Sequence, residues 1–407
     1  MSAIRLSCAA ALVAITACSG GGGGGGGGGV SPGDGGAVAA SGKLDVSYGT
    51  SGKVTFAPAI TQNVVVDSEG NAFVGVETAD QSQAYVVKLD ASGNVATAYG
   101  DAGRVVVSPN GVWAGAMTID AAGNLYAATH DPGVGVVQFD ALGHRVPSVG
   151  GLSASALPAA MVRLSDGTFY VAVVGSGFTG QTFSVLFKYD RNGRPDTSQA
   201  GASIGGATAL VVDEARGAVY AAYRATLNRF DIATRTVGGL GTGFISVCGA
   251  APVGMDVDSA GNVYFATTCG DGGVLRATIW KFDPLGHLVG TFGSNGFRTG
   301  IFGPDSAATM APRVEFVRVG PDGSVYVGGA SDQDGCYKLT IAKMDSQGRD
   351  VTSFGVGGRL VLDAPGSTAT KIELDGHGRL YALGYSNGTC TITSITPRSF
   401  LLVRASA

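Results

Sequence analysis

Charge is scarce in this chain. Asp, Glu, Lys and Arg make up 14% of its 407 residues, against roughly 25% in an ordinary soluble domain. Glutamate occurs five times, and with so few strong helix formers a helical bundle is excluded. The net charge of −4 comes without any basic run, so there is no electrostatic footprint for nucleic acid. The sequence has four histidines and no GxSxG, HExxH or Walker A motif, nor a GxGxxG between a strand and a helix. The hydrolase and nucleotide-binding classes that carry those signatures are left without support. Apolar residues, by contrast, reach 45%, enough to bury a large core and to exclude wholesale disorder. Glycine is in the greatest excess, at 68 of 407 residues. That is about 17% where some 7% is usual, and it lacks the third-residue period of collagen.

The N-terminus reads as an address. Arg5 precedes an apolar run over residues 9–15, too short for a bilayer, which takes about 20 residues, but suited to a secretory signal. Ile15-Thr16-Ala17-Cys18 resembles the lipobox of bacterial lipoproteins. The resemblance implies a signal peptide over 1–17, lipid on Cys18, and, with Ser19 next, the outer membrane of a bacterial envelope. Ten consecutive glycines follow, Gly20 to Gly29. Nothing there offsets backbone ordering entropy by burial, so 18–42 is expected to be a flexible tether and 43–407 the folded domain.

Internal repeats decide the architecture. A turn Gly, any residue, an apolar residue and an aromatic recur as Gly70 to Phe73, Gly123 to Tyr126, Gly167 to Tyr170, Gly217 to Tyr220, Gly261 to Tyr264, Gly323 to Tyr326 and Gly378 to Tyr381. The steps between them are 53, 44, 50, 44, 62 and 55 residues. A second signature follows in six units: Leu89-Asp90, Phe139-Asp140, Tyr189-Asp190, Phe230-Asp231, Phe282-Asp283 and Met344-Asp345, with Gly three residues after the Asp in all but the fourth. Both sit between alternating or β-branched runs and read as hairpin turns, Asp bonding local amides and Gly taking positive φ. Two hairpins make a four-stranded antiparallel sheet. Seven of them predict an all-β, seven-bladed β-propeller, since a single sandwich needs only about 100 residues. The last unit stops at its third strand, around Leu401 to Arg404. Leu44 to Gly49 matches the fourth-strand regions Asp350 to Gly355, Ala96 to Gly100 and Thr291 to Gly293, so the N-terminal strand is expected to complete blade seven and remove a sheet edge.

Leu44 to Gly49 with Gly52-Lys53-Val54, the Asp67-to-Phe73 turn and the Lys88-to-Gly93 turn together resemble the delta-60 repeat of bacterial secreted proteins, propellers similar to the NHL type. The likeness covers nearly all of 43–407 and is weakest in blades three and four. It implies an envelope or secreted propeller, with no defined reaction.

In such a ring all Asp turns share one face. The opposite face carries the second-to-third loops and the links between blades, usually the binding side. The long irregular stretches Gly238 to Pro252, Thr268 to Ala277, Ile301 to Arg313 and Tyr385 to Thr396 are expected there, as are Cys248, Cys269, Cys336 and Cys390. Four cysteines allow three pairings. Position favours Cys248 with Cys269 and Cys336 with Cys390, and the absence of CxxC spacing or a neighbouring His argues against metal.

Aligned on the turn Gly, the innermost strands place Asp256, Arg318 and Glu373 at one level of blades five, six and seven. They are candidates for a channel cluster in which Arg318 bridges two carboxylates. His130, next to Asp131, is the one His expected on the loop face, a weak candidate base. Asp332-Gln333-Asp334-Gly335 opens like a calcium loop but lacks the distal Glu. The expectation is therefore a non-catalytic, monomeric binding scaffold for a protein, peptide or glycan, without cofactor or metal and with membrane contact only through its lipid. The alternative is a propeller lyase or lactonase-type hydrolase at the channel mouth, and a third possibility is a rigid spacer.

Overall fold

The computed structural model describes residues 42–406, apart from 57–58, 79, 81, 110–115, 130–134, 148–156, 177–181, 198–200, 206–208, 224–225, 241–253, 272–273, 304–310 and 391–398. Among the described residues, 28 strands pair into seven four-stranded antiparallel sheets. The innermost strands are Ala59–Val66, Met117–Ile119, Leu157–Arg163, Ala209–Asp213, Gly254–Val257, Arg313–Val319 and Ser367–Leu374. Each touches the next, and the last touches the first, closing the ring. Met117, Met255, Val317 and Ile372 are buried where blades meet. Among the described residues the helical content is one 3-10 turn, Glu214–Arg216, in the first hairpin of blade four.

Turn chemistry sets the blades. In Asp67, Asp90, Asp120, Asp140, Asp190, Asp283, Asp345 and Asp375 one carboxylate oxygen accepts from two backbone amides, two and four residues on. Each turn Gly then takes the left-handed conformation, as Gly70 does at φ 90°. Blade four has no Gly at its second turn, and Arg235 occupies that conformation at φ 59°.

Blade seven is built from both ends of the described residues. Its fourth strand is Lys53–Phe56, paired to Ser399–Ser406 in the register Lys53↔Val403 to Phe56↔Phe400. Leu44 to Gly49, expected to be that strand, is instead the turn leading into it, bridged to the sheet at Leu44↔Ala405. Tyr48 is fully buried, but it reaches the core from a turn in which Gly49, Ser51 and Gly52 all have positive φ. The same device precedes the fourth strand in three other blades, at Tyr99 to Gly103, Phe292 to Gly296 and Phe354 to Gly358, with the same three positions left-handed. The chain ends stand in for the missing outer turn: Gly42 N donates to Ser406 O (2.8 Å), and Ser406 N to Lys43 O (3.1 Å).

The stretch Thr268 to Ala277 is a second correction. The strands Val263–Asp271 and Val274–Phe282 run through it, because cross-strand pairing continues where a Gly- and Thr-rich composition suggested a loop.

Candidate functional site: channel and loop face

The innermost strands enclose a central cavity of about 720 Å³. Its wall is divided. Blades one to four present mainly aliphatic side chains, such as Val65, Val162 and Val212, with Thr118 and Arg163 among them, whereas blades five to seven present Asp256, Glu315, Arg318, Lys371 and Glu373. Arg318 stands between the two acids named from the sequence: Nη1 lies 3.4 Å from Asp256 Oδ2 and Nη2 lies 3.4 Å from Glu373 Oε2. Asp256 is 6% exposed. It also accepts from Val319 N (2.8 Å) and Val257 N (2.9 Å). Burial pushes the Asp256 carboxyl above its ordinary value, against the opposing pull of Arg318 and those amides. Glu373 and then Asp256 hold Arg318 more firmly charged than usual. Lys371 completes the network, 3.2 Å from Glu373 Oε1 and over the Phe316 ring at 4.3 Å. These charges answer one another, so the cluster joins three blades at the axis. Lys371 and Phe316 share a level of their own, each seven residues before its turn Gly and in unbroken register with Glu373 and Arg318, beyond the levels five and six residues before that Gly that were compared in the sequence.

On the loop face, Cys336 and Cys390 form a disulfide between blades six and seven. Tyr337 reinforces it: its N–H donates to Cys390 O (3.0 Å) and its hydroxyl to Ala311 O (2.7 Å), on the link from blade five. Lys338 Nζ reaches Asp363 Oδ1 at 2.7 Å, and Thr268 of blade five donates to Pro312 O (2.9 Å). Cys269 is disulfide-bonded too, and its expected partner Cys248 lies outside the described residues. The hairpins of blades five, six and seven are thus cross-linked around one side of the channel mouth. The calcium-like stretch is the tip of one of them: Asp334 (φ 57°) and Gly335 (φ 77°) form a two-residue turn with both φ positive, and Asp332 Oδ1 accepts from Gly335 N.

His130 and Asp131 also lie outside the described residues. His144 and His287 are on the turn face, each ring 3.0 to 3.2 Å from its own turn Asp. Among the described residues, no three His, Cys, Asp or Glu side chains converge as a metal site would require.

No family model matches the chain, and no curated protein matches it. Solved structures do. One, described as "Structure of U3-55K", aligns over 84% of this chain and 95% of its own, at 11% identity and a TM-score of 0.47. A likeness at that level carries nothing about function, and the propeller assignment rests on the strand pairing itself.

Proposed function

We propose that the chain is a bacterial envelope lipoprotein of the delta-60-like type, anchored to the outer membrane through Cys18. Its propeller binds a protein, peptide or glycan on the loop face without catalysing a reaction. The observation that carries the binding role is the cross-linked platform of blades five to seven. Ring closure requires only strand pairing, yet the Cys336–Cys390 disulfide and the Tyr337 hydrogen bonds fix hairpins that stand beyond it. A preorganised surface loses less entropy on binding. Val274 and Leu275, 36% and 48% exposed on the neighbouring hairpin, supply apolar contact area there. A photo-crosslinking residue at Leu275 in intact cells is expected to give one discrete adduct that weakens in Cys336→Ser. The same residue at Gln347 on the turn face should not give that adduct. Identical adducts from both faces, or none from Leu275, would refute the reading. Mass spectrometry of the mature N-terminus tests the lipid separately.

A further inference from the structure

The described chain begins on the face that carries the Asp turns. Gly42 sits at φ 75°, the conformation of the outer-turn glycines Gly93, Gly143 and Gly348. Everything before it, Cys18 and the glycine run included, is attached at this face. Residues 19–41 join Cys18 to this face.

The same face displays aliphatic side chains where its turns do not need them. The residue before the outer-turn Gly is Ser92, Asn192 or Gln347 in three blades. It is Leu142, 61% exposed, in blade two and Leu285, 74% exposed, in blade five. After the aromatic-Gly pair stand Thr50, Asp101 and Ser294 in three turns, but Val356, 87% exposed, in the fourth. Val46, at the chain entry, is 75% exposed. Isolated exposed aliphatics are ordinary on a soluble surface. These occupy turn tips, and the exposed charges on the outer turns beside them include the bases Lys43, Arg145, Arg194 and Arg349. The turn aspartates direct a carboxylate oxygen inward onto backbone amides. The exposed acids Glu69 and Glu214 belong to first-hairpin turns, nearer the axis. On the outer turns Asp101 and Asp190 are exposed, and Arg349 is paired to Asp345 at 2.7 Å, which leaves Lys43, Arg145 and Arg194 as the bases offered to phosphate.

We propose that this turn face rests on an anionic bilayer leaflet, with its outer turns placing aliphatic tips among the headgroups and bases against phosphates. The inference rests on Cys18 as the anchor and goes beyond it, since the sequence assigns membrane contact to the lipid alone. Basic and aliphatic groups together would add headgroup and interfacial contacts to those of the lipid on Cys18. Such docking also directs the loop face away from the membrane.

The test uses the full chain, with lipid on Cys18 checked by mass spectrometry, in vesicles of phosphatidylethanolamine and phosphatidylglycerol and, separately, in detergent micelles. Hydrogen exchange at 141–144 and 284–287 should slow by about tenfold in the vesicles, and Leu142→Asp with Leu285→Asp should abolish that slowing. Both sites are exposed, so the variant keeps the fold. A lipidated chain whose turns exchange equally in both media overturns the docking while the anchor stands. If Cys18 carries no lipid, the anchor reading fails, and flotation with the same vesicles decides the docking. Flotation lost in the double variant supports it, and no flotation by the parent chain overturns it.

Discussion

Blades one, five, six and seven join the next blade in one way, and blades two, three and four in others. In the first group a buried aromatic in a Gly-rich turn stacks edge-on against the strand aromatic of its own blade: Tyr99 on Phe73, Phe292 on Tyr264, Phe354 on Tyr326 and Tyr48 on Tyr381. A base from the third strand covers the pair, as Lys88, Lys281, Lys343 and Arg404 do. The turn Gly then donates to the following blade, from Gly49 to Ser92 O, Gly100 to Leu142 O and Gly293 to Gln347 O, while Gly355 N packs on Gly42. In the second group no aromatic stands at the equivalent positions Val149, Gln199 and Leu240, and no such turn is seen among the described residues. The strand aromatics Tyr126 and Tyr170 reach across to Phe169 and Phe230 of the next blade. The junctions rest on Val136 against Gly193, on an Arg235–Asp196 ion pair at 3.4 Å, and on Leu240 against Gly286. The ring therefore has a repetitive arc and an improvised arc. Propeller closure requires a filled junction, not a particular residue to fill it.

The contrast can be tested by truncation. Phe354→Ala should cost about 3–5 kcal/mol in denaturant unfolding, whereas Leu240→Ala, at a half-buried site, should cost no more than about 2. Equal losses would erase the distinction. Arg404 is 3% exposed, pairs with Asp45 at 2.8 Å and donates to Ala91 O of blade one. Arg404→Leu is expected to cost about 3 kcal/mol, because a nearly buried guanidinium is lost that serves Ala91 O, the Tyr381 hydroxyl and Asp45 at once. Arg235→Leu on the improvised arc should cost under about 1, as a solvent-screened pair does.

A smaller effect has the opposite sign. The Tyr99 hydroxyl is buried without a hydrogen-bond partner, and Phe292 and Phe354 occupy the matching positions. Tyr99→Phe should stabilise by about 0.5–1 kcal/mol. Tyr381→Phe should lose a comparable amount, since its hydroxyl donates to Gly70 O at 3.0 Å. The last prediction is a slope. Because burial raises the Asp256 carboxyl above 3.8, the stability it contributes is full below that pH and is lost as pH rises through its folded value. The gap in unfolding free energy between the parent and Asp256→Asn should shrink as pH rises from 4 towards 7. A gap that widens would place the carboxyl on the other side of its ordinary value.

What could be read from the sequence follows from locality. The seven turn glycines and their aspartates act on residues two to four away, so their pattern is visible along the chain. The Cys336–Cys390 match was visible because repeats align loops with loops. The fourth strand was misplaced because Tyr48 and its counterparts look like strand residues. The left-handed Ser51, Ala102 and Asn295, which turn the chain, carry no Gly to mark them. The bases over the aromatics were missed for a different reason: their partners lie one strand over, and only pairing brings them together. In the channel, the level of Asp256, Arg318 and Glu373 was legible by counting back five residues from the turn Gly, and Lys371 lies two residues further back on the same face, a level that was not compared.

Building blade seven from both ends also has a consequence for synthesis. Arg404 and Asp45 are 359 residues apart, so this pairing cannot form until synthesis has passed residue 404. Contacts of such separation are slow to form. A product cut short by even its last strand would leave Lys53–Phe56 without a neighbour and the first blade with an open flank. Such an exposed edge invites proteolysis or aggregation. The ring therefore closes only after the strand Ser399–Ser406 has been made.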